Sequence, residues 1–366
     1  MKELIHFVKG NIVFVIAFFA AVITSIIVPP DSAYLTYFDF KTLACLFSVL
    51  AVVCALKNVN FFYLLSAKII KSFKNLRGAV LALVFTTLIG SMFIANDMAL
   101  LTFLPLGYLV LRTTSNERYM AHVFIMQNIA ANLGGMLTPF GNPQNLFLYT
   151  KFEISNGEFV KIMLLPFLLS VVIIFFFCVF LPKTPLTIPE RSFATDKRKT
   201  YIYLVLFVLA ILIVFRTIPY PVGVVVIVLF LCFLDKKALK MVDYPLLLTF
   251  VCFFIFSGNM ARIDVVKDFF ESLLNKNVLL VSTLSCQFIS NVPTAILLSE
   301  FTENYRDLLI GVNIGGIGTL ISSLASLITF REYTHHNPKK AFSYLCKFSL
   351  YNFSILIILV LFEMFL

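Results

Sequence analysis

Tryptophan is absent from this 366-residue sequence, and charged residues make up only 13% of it. Apolar residues account for 60%, well above their share in soluble globular domains. This composition excludes an ordinary soluble protein and predicts an all-α polytopic membrane protein, with room for about ten spans of about 20 residues. The 14 tyrosines have to take the interfacial positions that tryptophan usually shares with them.

Motifs for nucleotide-driven or metal-dependent chemistry are also missing. No Gly-x-x-x-x-Gly-Lys-Ser/Thr phosphate loop occurs, and no His/Glu metal motif falls within a predicted span. The seven cysteines lie scattered in apolar segments without paired spacing, which is typical of small buried hydrophobic residues. A membrane enzyme or a subunit of an ATP-driven pump is therefore the least favoured interpretation, and no cofactor is expected.

The net charge of +10 is explained by where the basic residues fall along the chain. If the N-terminus lies in the cytoplasm, most Lys and Arg are cytoplasmic, including the cluster in 183–199 and Lys236, Lys237 and Lys240. This is the positive-inside bias of a multi-pass protein, here expected in the plasma (inner) membrane. The basic excess thus indicates topology in a lipid bilayer, and no nucleic acid partner is expected.

Polar, glycine-containing segments interrupt the apolar sequence at matching points. Asn132-Leu133-Gly134-Gly135-Met136-Leu137-Thr138 in the first half is similar to Asn313-Ile314-Gly315-Gly316-Ile317-Gly318-Thr319 in the second. An earlier break precedes each copy, Ala95-Asn96-Asp97 and Ser290-Asn291-Val292-Pro293-Thr294 respectively. Such residues can simply pack or cap helices. Four breaks in matched order instead indicate the binding site of a secondary transporter.

The breaks divide the chain into four parts. We expect an N-terminal span in 1–36, a first repeat in 37–181, a basic linker with two spans in 182–240, and a second repeat in 241–366. An odd number of crossings separates the two repeat starts, so the second repeat would be inverted, as in alternating-access carriers.

Each repeat is expected to contain a re-entrant helical hairpin and a broken transmembrane helix, with an amphipathic interfacial stretch (58–74 or 261–274) before the hairpin. The predicted hairpins are 78–111 and 277–304, and the predicted broken helices are 119–150 and 306–329. Two short true spans in place of the first hairpin would leave the charge distribution unchanged, and this alternative stays open.

Asp97 is the only carboxylate that the sequence places at membrane depth, where an ionisable side chain is functional by default. Ionised, it could bind Na⁺; protonated, it could carry H⁺. The structural alternative is that Asp97 only caps the second arm of its hairpin. No Lys or Arg is predicted at the same depth to offset an anion.

From residue 37 to residue 366 the chain resembles the ion transporter superfamily, which includes divalent anion/sodium symporters, citrate carriers, arsenite permeases and D-type sodium/proton antiporters. The motifs that carry the resemblance are Ala95-Asn96-Asp97, Asn132-x-Gly-Gly with Gly141-Asn142-Pro143-x-Asn145, Ser290-Asn291-x-Pro-Thr294, and Gly311-Val-Asn-x-Gly-Gly-x-Gly-Thr319. The resemblance implies an elevator-type carrier, often a homodimer, that holds substrate and Na⁺ between the hairpin tips and the broken helices.

By position in these motifs, the resemblance also implies site residues. One cation site would be framed by Asn96, Gly141, Asn142 and Asn145, and its counterpart by Asn291, Thr294, Thr319 and Ser323. Asp97 is a further candidate cation ligand because of its own carboxylate. Substrate would contact the hairpin tips at Asn96, Asp97, Ser290, Asn291 and Thr294. The tips differ from the Ser-Asn-Thr of dicarboxylate symporters, and the Asn-Asp tip is more similar to the arsenite-permease and sodium/proton branch.

Two transport functions follow as hypotheses. The leading one is a secondary active transporter that moves a small anion, a carboxylate or an oxyanion, coupled to Na⁺ or H⁺. The alternative is a sodium/proton antiporter or an arsenite-type exporter that uses Asp97.

Overall fold

The computed structural model describes residues 11–185 and 196–366, apart from the side chains of Ser66, Ile69 and Lys71. This part of the chain is helical and contains no β-strand. The prediction of an all-α fold is therefore confirmed. Residues 1–10 of the predicted N-terminal span and residues 186–195 of the basic linker lie outside the described residues.

The helices before the linker are α1 (Ile12–Ile27), α2 (Phe40–Asn58), α3 (Phe61–Lys71), α4 (Leu76–Ser91), α5 (Asn96–Thr113), α6 (Met120–Gly134), α7 (Pro143–Lys151) and α8 (Asn156–Val179). Three helices follow the linker: α9 (Lys197–Val214), α10 (Tyr220–Leu234) and α11 (Lys236–Lys240). The remaining helices are α12 (Tyr244–Ala261), α13 (Asp264–Leu274), α14 (Val278–Ile289), α15 (Asn291–Leu298), α16 (Tyr305–Ile314), α17 (Leu324–His336) and α18 (Ala341–Met364).

The order of elements from α2 to α8 recurs from α12 to α18. In each half a long helix is followed by a short one, a pair of helices around a break, a second broken pair and a final long helix. The two long helices begin with the same cap, because the side chains of Asp39 and Asp243 accept hydrogen bonds from Thr42 N and Leu246 N, both at 2.9 Å. The inverted relation of the two halves stays a prediction.

The two hairpins differ in the length of their arms. Helices α4 and α5 have 16 and 18 residues, whereas α14 and α15 have 12 and 8. At about 1.5 Å per residue, α15 is about 12 Å long and cannot cross hydrocarbon of about 30 Å. The first hairpin extends beyond the predicted 78–111 at both ends, because α4 begins at Leu76 and α5 ends at Thr113. Re-entry of the first hairpin stays a prediction.

The packing exchanges elements between the two halves. Helix α4 packs on α6 within the first half, and α14 packs on α16 within the second. The second half of each broken helix contacts the other hairpin, so that α7 packs on α15 and α17 packs on α5. This exchange brings the two hairpin tips to the same region of the protein.

The surface of the molecule suits a lipid environment. Within the described residues, four helical segments are long and apolar enough to cross a membrane: Phe40–Asn58, Asn156–Val179, Tyr244–Ala261 and Pro338–Met364. Large apolar side chains point outward from several helices, as shown by Phe233 at 86% exposure and Leu350 at 65%. Apolar surface of this extent favours burial in a bilayer.

Candidate functional site

The tips of the two hairpins share one local structure. Asn96 begins α5, and its Oδ1 accepts a hydrogen bond from Asp97 N at 2.9 Å. Asn291 begins α15, and its Oδ1 accepts a hydrogen bond from Val292 N, also at 2.9 Å. The two asparagines are therefore equivalent, and Asp97 in the first half corresponds to the apolar Val292 in the second.

Asp97 is buried in the first turn of α5, with 7% of its surface exposed. Its Oδ1 accepts a hydrogen bond from Met98 N, of the next residue, at 3.0 Å. Asp97 is not the N-cap of α5, because Ala95 occupies that position. Asp97 also lines the cavity between the hairpin tips. The contact with Met98 N is compatible with a role at that cavity, because it uses only one carboxylate oxygen.

Both hairpin tips line one cavity of about 230 Å³. Asn96 and Asp97 reach it from the first hairpin, and Ser290 and Asn291 reach it from the second. Apolar side chains of α1, α12 and α17 form much of the remaining wall. The cavity is smaller than the roughly 300–1,000 Å³ of sites for drug-sized molecules, so it suits a small ligand.

Among the described residues, three charged side chains line this cavity. Besides Asp97 these are Asp243, at the start of α12, and Arg331, an exposed residue on α17. The sequence placed neither at the site, so the cavity has a second carboxylate and a cation. That Asp97 is the only carboxylate at membrane depth, and that no Lys or Arg lies at that depth, stay predictions. Arg331 was not expected at the cavity. It was missed because we expected this broken helix to end at 329, whereas α17 continues to His336.

The break of the first broken helix is held together by Asn145. Its Nδ2 donates hydrogen bonds to the carbonyl oxygens of Gly135 (3.1 Å), Met136 (3.3 Å) and Thr138 (3.2 Å). These carbonyls follow the last residue of α6, Gly134, in the segment that leads to α7. The Asn145 amide thus occupies the position where a cation would meet the same carbonyl groups.

Asn142 leaves one acceptor unsatisfied at this break. Its Nδ2 donates to Asn132 O at 3.1 Å and to Asn313 Oδ1 at 3.2 Å, which fixes the orientation of the amide. Its Oδ1 is buried and has no hydrogen-bond partner within residues 11–185 and 196–366. A Cβ at Gly135 would overlap this oxygen and approach Gly141 O to 2.9 Å. Glycine at 135 therefore keeps space beside a buried acceptor, which a donor or a cation can satisfy.

The break of the second broken helix is filled by Gln287. Its Nε2 donates to Gly315 O at 2.9 Å and to Ile317 O at 3.2 Å, and its Oε1 accepts from Thr319 N at 2.9 Å. The Thr319 hydroxyl donates to Gln287 O at 2.9 Å. The sequence did not predict this role of Gln287, which lies on α14 and outside the motifs.

The other predicted residues of the second half bond locally. The Thr294 hydroxyl donates to Ser290 O at 2.7 Å, one helical turn earlier. Ser323 Oγ lies 3.0 Å from Ser326 Oγ, and the tip joins the break where Asn291 N donates to Ser322 O at 3.0 Å. The side-chain oxygens of Thr294, Thr319 and Ser323 are thus each bonded within the described chain, unlike Asn142 Oδ1.

Asparagine side chains link the two halves at the centre of the site. Asn313 Nδ2 donates to Asn145 Oδ1 at 2.6 Å, while Asn142 donates to Asn313 Oδ1. Asn96 Nδ2 donates to Asn132 Oδ1 at 2.9 Å, which ties the first hairpin tip to the same network. The structure therefore brings together the predicted residues Asn96, Asn142 and Asn145 through buried hydrogen bonds.

Gln144 also lines the cavity between the hairpin tips, although the sequence did not predict it as a site residue. It occupies the variable position of the Gly141–Asn145 motif and is 1% exposed. Both of its polar side-chain atoms are buried and have no hydrogen-bond partner in the described chain. Its place inside the Gly141–Asn145 motif was the available signal, but that motif does not specify the residue at position 144.

Comparison with known proteins identifies the class of this chain. The family model described as citrate transporter matches residues 5–304. An uncharacterized transporter of Methanocaldococcus jannaschii is 34% identical over 297 residues, covering 80% of this chain and 81% of the relative. The inner membrane protein YbiR of Escherichia coli strain K12 is 27% identical over 302 residues, 80% of each chain. The protein is a multi-pass membrane transporter and not an enzyme, and the chain belongs to the citrate transporter family.

Proposed function

We propose that this transporter carries a small anion, a carboxylate or an oxyanion, through the cavity between the hairpin tips, coupled to Na⁺ or H⁺. The observation that carries the proposal is that Asn96 and Asn291, at the two tips, line the same cavity as Arg331. Amide groups and a guanidinium offer the hydrogen-bond donors that a carboxylate needs.

The first break is the better candidate for a Na⁺ site. The buried, unsatisfied Oδ1 of Asn142 lies beside Gly135 and Gly141 O, and oxygen atoms of this kind suit a hard cation. Side-chain amides already bond carbonyl groups at both breaks, Asn145 at the first and Gln287 at the second, so the unsatisfied Asn142 Oδ1 is what distinguishes the first break. We therefore propose one Na⁺ at the first break, with Asp97 of the first hairpin as a further acceptor.

We infer that the described conformation faces the cytoplasm. The cavity is lined by the first residues of α1 and of α12, and α12 begins beside the end of α2, where Asn58 Nδ2 donates to Asp235 Oδ2 at 2.9 Å. Lys57, Lys236 and Lys237 lie at this end, the one that positive-inside bias assigns to the cytoplasm. We further propose that the two repeats are inverted and that the protein works as an elevator-type carrier. We also propose that it forms a homodimer in the plasma membrane.

A second candidate function is cation/proton exchange. Asp97 and Asp243 line the same cavity, and two carboxylates favour a cation or a shared proton over a dianion. Under this hypothesis Na⁺ alone stabilises the purified protein, and exchange of Na⁺ for H⁺ proceeds without an organic anion.

Transport by the purified protein in liposomes tests the proposal. Labelled citrate or succinate should accumulate only under an inward Na⁺ or proton gradient, and Asn291→Ala should abolish accumulation. Asn304→Ala is the matched control and should retain uptake, because Asn304 is exposed, donates to Asp307 Oδ2 at 2.9 Å and does not line the cavity. Gradient-driven exchange of Na⁺ for H⁺ with no anion uptake would support the second candidate instead.

A further inference from the structure

The loop between α9 and α10 contacts the first broken helix at two points. Arg216 Nη2 donates a hydrogen bond to Tyr149 O at 2.6 Å, and its guanidinium lies 4.4 Å from the centre of the Tyr149 ring. The neighbouring ring of Phe215 meets that of Phe140 edge to face, with the ring centres 5.9 Å apart. Phe140 precedes α7 and Tyr149 lies in its last turn, so the loop holds α7 near both of its ends.

The C-terminal end of α7 suits a cation. The carbonyl groups of a last helical turn carry the negative end of the helix dipole, and Tyr149 O belongs to this turn. Among residues 11–185 and 196–366, no carboxylate forms a salt bridge with Arg216. Its Nε is buried and has no hydrogen-bond partner in the same part of the chain. The half-buried guanidinium is therefore oriented by α7 and not by an acidic side chain.

Arg216 takes up this position at a conformational cost. Its φ is +62°, in the left-handed region that residues with a side chain rarely adopt. The turn is closed by a hydrogen bond from Thr217 N to Leu212 O at 3.0 Å. Strained backbone of this kind persists only where the surrounding contacts require it, and it is frequent at functional sites. The strain therefore indicates that the contact with α7 has a role.

Helix α7 carries part of the proposed Na⁺ site. Asn142 caps α7, and its unsatisfied Oδ1 lies beside Gly135, which belongs to the segment after α6. The distance between these two parts of the site depends on where α7 is held. Binding groups have to stay within about 0.5 Å of their productive positions, so a small displacement of α7 is enough to weaken a cation site.

The helices α9 and α10 lie between the two halves of the chain, outside the order of elements that recurs. Both pack on α2, and α7 packs on α2 as well. Their loop contacts the first of the two breaks, which is also the break with the unsatisfied acceptor of Asn142. The extra helices are thus placed to fix one break independently of the repeat.

We propose that Arg216 is a positioning residue for the Na⁺ site at the first break. It keeps α7, and with it Asn142, at the distance from Gly135 that the cation requires, without touching the cation itself. The inference rests on the proposed Na⁺ coupling. It adds to the site a residue that lies outside both repeats.

Arg216→Asn separates this role from folding. Asparagine tolerates the left-handed backbone and is too short to reach Tyr149 O, so the loop keeps its turn and loses the contact. In proteoliposomes, the half-saturating Na⁺ concentration for uptake of labelled citrate should rise about tenfold, as is typical when a group that orients metal ligands is removed. The citrate concentration for half-maximal uptake at saturating Na⁺ should stay unchanged. The Na⁺-dependent rise in melting temperature of the purified protein gives the same comparison without transport.

Two further variants serve as controls. Arg216→Lys keeps a cationic donor that can reach Tyr149 O, so it should restore most of the Na⁺ affinity. Arg118→Asn removes a different arginine, whose guanidinium lies 4.8 Å from the centre of the Tyr119 ring. Arg118 lies in the turn before α6, at the opposite end of that helix from the first break. This variant should leave the half-saturating Na⁺ concentration unchanged.

An unchanged half-saturating Na⁺ concentration in Arg216→Asn overturns the inference even if the maximal rate falls. A purely structural role would lower the rate or the melting temperature and leave the Na⁺ affinity as it is. If this variant does not fold, Phe215→Leu takes its place, because it weakens the other contact of the loop. Phe215→Leu should raise the half-saturating Na⁺ concentration about threefold, and no rise would again overturn the inference.

The wild-type protein and Asn142→Ala distinguish this inference from the proposed function. If wild-type uptake does not depend on Na⁺, the proposed Na⁺ site fails together with the inference. If uptake depends on Na⁺ and Asn142→Ala abolishes this dependence while Arg216→Asn does not alter it, the inference alone is refuted.

Discussion

Replacement of Asp97 by asparagine separates its structural role from its proposed role in coupling. In the variant, the asparagine Oδ1 can still accept a hydrogen bond from Met98 N, which lies 3.0 Å from Oδ1 of Asp97 in the wild-type protein. The hydrogen bond from the N–H of residue 97 to Asn96 Oδ1 is unaffected. Because the asparagine can keep both local hydrogen bonds, the free energy of unfolding should change by less than about 1 kcal/mol.

The same substitution should weaken the coupling cation strongly. Loss of a charged acceptor removes about 1.5–3 kcal/mol of the binding free energy of the cation. If Na⁺ is the coupling ion, its half-saturating concentration should therefore rise about 10- to 100-fold. If H⁺ is the coupling ion, the dependence on a proton gradient should disappear. Uptake of labelled citrate into proteoliposomes under imposed Na⁺ or pH gradients measures this. Asp243→Asn, which preserves the cap on α12 through Leu246 N, is the matched comparison. Unchanged cation dependence in Asp97→Asn would refute the coupling role.

Two further predictions concern stability. Gly318 has φ +128°, and a Cβ there would overlap Gln287 Oε1. Gly318→Ala should therefore destabilise the protein by about 2 kcal/mol or more. At Gly157 a Cβ meets no described atom within 4 Å, so Gly157→Ala should change the free energy of unfolding by less than about 1 kcal/mol. Thermal melting of the two variants in detergent compares them, and equal melting temperatures would contradict the packing at the second break. The hydrogen bond from Arg262 lowers the pKa of Asp31, so the contribution of this pair is present above the pKa of an unfolded aspartate and is lost as the pH falls through the lower folded pKa. The melting difference between the wild-type protein and Asp31→Asn should therefore disappear in acid, and a difference that persists there would contradict the ion pair.

The sequence predicted the order of helices because polar breaks are conspicuous in an apolar chain. Asn96 and Asn291 mark the two hairpin tips, and the paired Asn-x-Gly-Gly segments mark the two broken helices. The cap residues Asp39 and Asp243 likewise mark the starts of the two long helices. Local signals of this kind depend on neighbours in the chain, and sequence reasoning recovers them.

The composition of the cavity could not be predicted in the same way. Gln144, Asp243 and Arg331 lie far apart in the chain and line one cavity because α7 and α12 pack on α15 and α17 packs on α5. The amide of Gln287 likewise reaches the second break from another helix. Contacts of this kind depend on the packing exchange between the halves, to which no local pattern points.

The most direct test of the account asks whether substrate occupies the space between the hairpin tips. In a background with the exposed Cys346 replaced by serine, Val292→Cys places a thiol in the cavity, and Thr36→Cys places one in a separate cavity of about 470 Å³ that also contains Asp39. Citrate should slow maleimide labelling of the cysteine at 292 and leave labelling at 36 unchanged. Equal labelling rates at 292 with and without citrate, under conditions in which citrate is transported, would contradict a transport site between the tips.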